Sequence, residues 1–502
     1  MTQAIPFAGL PPWGRCALAA LAGSGTALSL PPFDIIPAIA GYGVLALLLT
    51  PAPVGRLLAM LAAGAFGVGY HLAGLWWVGA AFLVDAQTFG ALLPLGVIGL
   101  PLGLSLFHAA AGFFTALAPP ALLPRAVALA AALTLTELAR ANILTGFPWN
   151  APGMGLTGWL PFMQPAAFIG LNGLNLAALF AGSLWVCVWG SPRVKTAAAL
   201  TPAILVAIGA VGLWRLAQTP AVQVDGPTIK IVQPNIAQRD KADPDLAGLN
   251  WGTLLSTTAM GPQADLVVWP ETAMPFIYAG GPARPQLSNA LGDRQWLITG
   301  AVQPATRNGE QRYTNSVLVI APDGTIQQHY DKLHLVPFGE YLPLSGILSA
   351  VGLKTFVDSA SAFVPGTSWQ PLNVPGFPAL EPLICYEVIF PRPTSATASA
   401  IINVTNDAWF GDTPGPHQHL RHAALRAVVR GLPVVRAANT GVSAVISPKG
   451  EILEQLGLNE RGTITAQLPA PIFTIKSRKW HWVVTLLTLA FLVSAVALPR
   501  RL

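Results

Sequence analysis

Three residues set far apart in the chain, Glu271, Lys332 and Cys385, have the types needed for acyl chemistry. Cys385 stands in Pro382-Leu383-Ile384-Cys385-Tyr386-Glu387 and is the only cysteine between Val222 and Ile475; Cys16 and Cys187 lie in apolar stretches. In a domain facing an oxidising compartment, an unpaired thiol is either buried and inert or kept for reaction. A cysteine that attacks a carbonyl needs a thiolate, a base for the proton and a donor for the oxyanion. An ordinary thiol, with a pKa of about 8.5, is only a few per cent ionised at neutral pH, so a carboxylate or cation must assist. Glu271, in Trp269-Pro270-Glu271-Thr272, is a candidate base. Lys332, in Tyr330-Asp331-Lys332-Leu333-His334, would face the oxyanion as a fixed positive charge, with the backbone N–H of Tyr386 as a second donor. Taken singly, each has a plainer reading: a packed structural thiol, a helix cap, a solvated charge.

The elements between Val222 and Ile475 can position such groups. Short β-branched runs at Thr228–Gln233, Asp265–Trp269, Trp296–Ala301, Ser316–Ile320, Leu383–Cys385, Ala400–Val404 and Val434–Ala437 predict strands. Pro322-Asp323-Gly324-Thr325 and Ser447-Pro448-Lys449-Gly450 predict hairpin turns, and His417–Val429 reads as a helix. Strands mixed with helices and hairpins predict an α/β domain with a mixed sheet. Glu271 and Cys385 then fall just past strand ends, where open α/β sheets place their sites.

The rest of the chain is a membrane protein by composition. Only 10% of the 502 residues are charged and mean hydropathy is +0.55, against about 25% charged in a soluble domain. Residues 1–220 hold three acids (Asp34, Asp85, Glu137) and seven bases. Uncharged runs near 14–30, 34–50, 55–82, 89–117, 121–140, 163–190 and 196–216 predict seven membrane helices, and an eighth runs from 480 to 498. The predicted organisation is a helical membrane region over 1–220, a polar α/β domain over 221–475 and a C-terminal membrane helix over 476–502. A cytoplasmic N-terminus puts Arg15, Arg56, Arg125, Arg193, Lys195, Arg500 and Arg501 inside, leaves Arg140 and Arg215 outside, and places the polar domain outside. Lys476, Arg478 and Lys479 run against this count, but they follow a large translocated domain, where the rule is weak. The net charge of +6 is spread out, which excludes a nucleic-acid footprint.

With these motifs together, the set resembles the Glu–Lys–Cys constellation of the nitrilase superfamily, and the whole chain is similar to the apolipoprotein N-acyltransferase family. The resemblance is carried by Val232-Gln233-Pro234-Asn235, Trp269-Pro270-Glu271-Thr272 and the run from Lys332 through Gly339-Glu340-Tyr341. Ile384-Cys385-Tyr386-Glu387, Asn403-Val404-Thr405-Asn406-Asp407-Ala408-Trp409-Phe410-Gly411 and Arg436-Ala437-Ala438-Asn439-Thr440-Gly441 complete it, with Phe147-Pro148-Trp149-Asn150 in the membrane region. The resemblance implies an αββα sandwich on the periplasmic side of a bacterial inner membrane, carried on about eight transmembrane helices. It implies transfer of an acyl chain from a phospholipid such as phosphatidylethanolamine, through a Cys385 thioester, to the diacylglyceryl-cysteine amine of an apolipoprotein. Glu271 would be the general base, Lys332 the oxyanion donor and Cys385 the nucleophile. Glu340 would orient Lys332 or relay protons, while Tyr386 and Glu387 would shape the site. No cofactor or metal is called for, and a monomer is expected. Many members carry an aromatic residue before the Asp-Pro after the first strand; Ala242 stands there instead, with Trp251 as a nearby candidate for the lost lid.

His417, His419 and His422 show no clean i, i+4 pair and no completing carboxylate or thiolate, so they predict a helix start with ring nitrogens near solvent rather than a metal site. Two other functions remain open on the residues alone: a membrane-tethered amidase or nitrilase using the same triad, and a non-enzymatic transporter or receptor.

Overall fold

A computed structural model describes residues 6–50, 54–218, 226–241, 243–307, 309–337, 339–341, 363–390, 397–472 and 480–497. Ala242, Phe338, Lys476, Arg478, Lys479, Arg500 and Arg501 lie outside the described residues. The chain divides into two compact units, Met1–Pro220 with Thr474–Leu502, and Ala221–Phe473.

The first unit is helical. Its longer helices are α1 (Pro12–Thr26), α2 (Gly41–Leu49), α3 (Arg56–Leu75), α4 (Leu100–Thr115), α5 (Leu122–Arg140), α6 (Ala166–Leu184) and α7 (Leu200–Gln218). Among the described residues, five stretches are long and apolar enough to cross a membrane: Arg56–Leu83, Ala86–Thr115, Leu122–Arg140, Ala166–Trp189 and Pro192–Gln218. Ile36–Leu49 and Trp482–Ala497 are shorter apolar helices. Small residues let the backbones meet: a Cβ at Gly23 of α1 would run into the Phe66 carbonyl of α3, and one at Gly112 of α4 into the Ala59 carbonyl. Several bases counted toward orientation are spent inside the protein. Arg15 donates to Leu48 O at 2.8 Å, and Arg140 is paired with Glu137 and also donates to Trp149 O at 2.9 Å. Asp85 caps the turn that follows it by accepting from Thr88 N. Trp77 is buried against Trp149 with ring centroids 5.2 Å apart, while Trp76 is exposed.

The second unit is a two-sheet sandwich. One sheet has the order β11-β1-β2-β3-β4-β5, with β1 (Thr228–Gln233), β2 (Leu266–Val268) and β3 (Trp296–Arg307) parallel, and β4 (Glu310–Ile320), β5 (Ile326–Asp331) and β11 (Gly462–Gln467) antiparallel to their neighbours. The other has the order β10-β9-β8-β7-β6, in which β6 (Leu380–Ile384), β7 (Ala400–Thr405) and β8 (Val434–Ala438) are parallel; β9 (Ser443–Ile446) and β10 (Ile452–Leu456) return antiparallel. The two-residue period of a strand sorts the side chains. Ile229, Ile231, Leu266 and Val268 join Ile384, Ile402, Val404 and Val435 in the core between the sheets. The alternate residues Val232, Val267 and Trp269 meet Trp251 and Leu254 of α8 (Ala247–Thr258) and Leu287 and Leu291 of α9 (Ala283–Leu291). Lys230, on the same outer side of β1, donates to Thr258 O at the C-terminus of α8, where the helix dipole favours a cation. Against the second sheet packs α10 (Pro414–Arg430), opened by the Thr413 side chain accepting from Gly415 N with Pro414 in the first turn, and closed by Gly431 at φ 64°. The C-terminal helix α11 (Trp480–Ala497) belongs to the helical unit and packs on α5 and α6. The α/β layering expected from the strand and helix patterns is therefore present.

Trp251 is no lid. Its side chain is buried, with ring centroids 5.9 Å from Trp269 and 5.1 Å from Phe276, and its indole N–H donates to Gln286. Its spacing of three from Leu254 puts both on the helix face that packs on the sheet.

Candidate functional site

The strand ends of the two sheets deliver the expected residues to one place. Glu271 follows β2 in a turn whose Thr272 has φ 44°. That turn presses against Gly300 of β3, where a Cβ would lie 2.5 Å from Glu271 Cα. Lys332 follows β5, and Cys385 follows β6 with φ 50°, opening the short 3-10 helix Cys385–Ile389. Left-handed backbone at a non-glycine residue costs about 1–3 kcal/mol and persists only where the surroundings enforce it.

Lys332 is 1% exposed and lies between two carboxylates, 3.2 Å from Glu271 Oε1 and 2.9 Å from Glu340 Oε1. Asn315 of β4, which the sequence did not single out, bridges the same two oxygens at 2.7 and 2.8 Å. The second oxygen of Glu340 accepts from Val336 N at 2.8 Å. Burial works against a charge on Lys332, but Glu340 and Glu271 outweigh it and hold the ammonium well above the usual lysine range. The Cys385 thiol is pushed up by burial and by Glu271, against the opposing pull of Lys332. The thiol therefore stays protonated until a base takes the proton.

Glu387 serves the backbone. Its Oε1 accepts from Leu333 N and His334 N at 2.9 and 3.1 Å, Oε2 accepts from Ile384 N at 2.9 Å, and Tyr330 Oη donates to the same carboxylate at 3.0 Å. One side chain thus ties the segment carrying Lys332 to the turn carrying Cys385. Burial raises its pKa, and the backbone N–H groups oppose that shift. Replacing Glu387 with Ala is expected to leave these donors unpaired and to cost on the order of 3–5 kcal/mol. Heat unfolding in detergent should show the midpoint fall by several degrees; an unchanged midpoint would refute this role. The Tyr386 ring packs tilted against His334 and edge-to-face against Phe390, at centroid distances of 5.6 and 4.9 Å.

Two further groups were not anticipated. Lys241 donates to Glu271 O and Thr272 Oγ1, each at 3.1 Å, and so clamps the Glu271 turn. Burial lowers its pKa to about 8, with Glu271 opposing. Behind Cys385, His419 joins Asp407 and Arg436 in a buried network. The expectation that the histidines sit near solvent fails for His419 and His422, which are 0% and 3% exposed; His417 alone is exposed. The reason is helical spacing: 419 and 422 are i, i+3 neighbours and share the inward face of α10. Among the described residues no group of three or more His, Cys, Asp or Glu is arranged to hold a metal. Trp409 is exposed and Phe410 half-buried.

A sandwich of two mixed sheets with a cysteine, a lysine and a glutamate at its strand ends suits a carbon–nitrogen hydrolase domain, and residues 228–472 match the carbon-nitrogen hydrolase family model. Residues 22–184 match that of the apolipoprotein N-acyltransferase N-terminal domain. The apolipoprotein N-acyltransferase of Brucella suis biovar 1 is 41% identical over 96% of this chain and 95% of its own, and that of Rhodopseudomonas palustris 39% identical over 92% and 90%. The chain belongs to the apolipoprotein N-acyltransferase family and is a membrane-embedded, acyl-transferring enzyme. A solved nitrilase-superfamily amidase of Nesterenkonia AN1 is 22% identical, covering 50% of this chain and 93% of that one, with a TM-score of 0.36.

Proposed function

We propose that this protein moves an acyl chain from a phospholipid, phosphatidylethanolamine being the expected donor, onto the α-amine of the diacylglyceryl-cysteine that begins an apolipoprotein. Glu271 takes the proton from Cys385 as Sγ attacks the ester carbonyl carbon. The tetrahedral oxyanion is held by the Lys332 ammonium and the Tyr386 N–H. Collapse breaks the ester C–O bond, the proton returns from Glu271 to the leaving oxygen, and a lysophospholipid departs from the thioester. In the second half the neutral α-amine attacks the thioester carbon and gives its proton to Glu271. The C–S bond breaks and the proton returns to sulfur, leaving an amide and free Cys385. The amine can attack only when neutral, so a carboxylate beside the acyl group is what this step requires.

One observation carries the reading: Lys332 is pinned between Glu271 and Glu340, and the Glu387 carboxylate ties the segment that carries Lys332 to the turn that carries Cys385. The apolar helices suit it as well. Withdrawing each CH₂ of an acyl chain from water is worth roughly 0.8 kcal/mol, so a chain left in the bilayer spares the protein a cavity for it. In this reading all eight helices cross the inner membrane, the N-terminus is cytoplasmic and residues 221–475 face the periplasm as the catalytic domain of a monomer. Intact-protein mass spectrometry after incubation with phosphatidylethanolamine and no acceptor tests it. A hydroxylamine-labile acyl mass is expected; free fatty acid without an adduct would point to a hydrolase instead.

A further inference from the structure

The main-chain carbonyl of the nucleophile's own residue is held by a buried side chain. His419 Nε2 lies 3.1 Å from Cys385 O, and its Nδ1 lies 2.8 Å from Asp407 Oδ1 and 3.2 Å from Arg436 Nη2. A carbonyl oxygen can only accept, so Nε2 carries a hydrogen and donates it. With both ring nitrogens engaged in this way, His419 is not a base for the thiol. The ring is itself fixed from behind. Arg436 donates to Asp407 Oδ2 and to Asn403 Oδ1, each at 2.6 Å, Thr405 donates to Asp407 at 3.1 Å, and Asn403 donates to Leu383 O at 3.1 Å. His419, Asp407 and Arg436 are each 0–1% exposed. Despite burial, Arg436 and His419 keep the Asp407 carboxyl down at about 2. A stiff frame of β7, β8 and α10 side chains therefore ends on one atom, the oxygen of Cys385.

That atom matters because of peptide geometry. In a planar trans peptide the C=O of residue 385 and the N–H of residue 386 share a plane and point in opposite directions. Fixing the carbonyl fixes the direction of the Tyr386 N–H. Cys385 itself is left-handed, with φ 50°, a conformation that persists only where the surroundings enforce it. A donor on the carbonyl also polarises the amide and strengthens its N–H as a donor.

We propose that His419 is a positioning residue for oxyanion binding: by holding the Cys385 carbonyl it aims the Tyr386 N–H at the oxygen that becomes anionic. This rests on the thioester reading above. Two substitutions separate the ring's two contacts. His419→Gln keeps an N–H near the Nε2 position and gives up the ring's contact with Asp407 and Arg436. His419→Asn keeps a polar group near Nδ1 and gives up the N–H to Cys385.

The test uses full-length protein in detergent and two rates: acyl-enzyme formation from phosphatidylethanolamine by intact mass, and alkylation of Cys385 by iodoacetamide at pH 9 by peptide mass. Alkylation forms no oxyanion, so it reports the thiol and the fold but not the oxyanion donor. Loss of one such donor costs roughly 10²-fold or more in rate. The Asn variant should acylate about 10²-fold more slowly than wild type and the Gln variant within about fivefold, with alkylation within about threefold in both. Equal losses in the two variants, or alkylation falling in step with acylation, overturns the proposal. A Gln variant that alkylates normally but acylates slowly overturns it alone, even if the Asn variant does not fold. Absence of an adduct on wild type would instead fail the thioester reading.

Discussion

Cys385→Ala should carry no acyl mass under conditions that load the wild type, and its turnover should fall by about 10⁴-fold or more. The size follows from where the thiol sits. It is the only cysteine of its domain. Folding should be spared, because Cys385 is small and 7% exposed, and Ala removes only one sulfur from the core. Complementation of lipoprotein maturation measures the same loss in cells. Undiminished complementation by Cys385→Ala would sink every reading that makes this sulfur a carrier.

Glu271→Gln should slow both halves of the reaction by about 10²–10⁴-fold, the range for a positioned acid–base group. Gln is nearly isosteric, and its amide oxygen can keep accepting from Asn315 and Lys332. Lys332 retains Glu340, so its charge stays paired. What is lost is the ability to take the proton. The pH dependence then carries the sign of the effect. Burial pushes the Cys385 thiol up, so without a base the reactive thiolate must come from solvent. Below the raised pKa its fraction grows roughly tenfold per pH unit, and acylation by Glu271→Gln should climb with that slope through the alkaline range. A variant that acylates slowly but passes a preloaded acyl group to amine at the wild-type rate would confine Glu271 to the first step.

Glu271, Lys332 and Cys385, with Glu340 and Glu387 beside them, were legible in the sequence as a set, whereas several of the buried polar residues packed around them were not. Glu271 and Cys385 follow strands whose apolar runs end sharply, so their places were legible. Asn315, Asn403 and Arg436 stand inside strands, where a two-residue pattern marks apolar positions and a polar residue reads as an outward one; their burial follows from partners in distant elements. His419 was expected near solvent because only an i, i+4 pairing was weighed, while the inward stripe of a helix also takes i, i+3. Among the strands, β5 and β10 escaped because each is the last strand of its sheet and largely exposed, leaving no apolar stripe to read. β11 pairs with β1 from the far end of the domain, a register set by packing and beyond any local signal. In the helical unit, Arg15 and Arg140 show the limit of counting loop charges: both are bonded to protein groups rather than to headgroups.

The cluster of Glu271, Glu340 and Lys332 holds two negative charges and one positive. In every step proposed above, a proton leaves sulfur or nitrogen for Glu271 and is returned to oxygen or sulfur. Charge is thus redistributed within the pocket and none is imported from solution. Such a cycle needs no counter-ion to enter or leave between steps. Its chemical rate should therefore hardly respond to ionic strength, whatever salt does to the arrival of a charged lipoprotein.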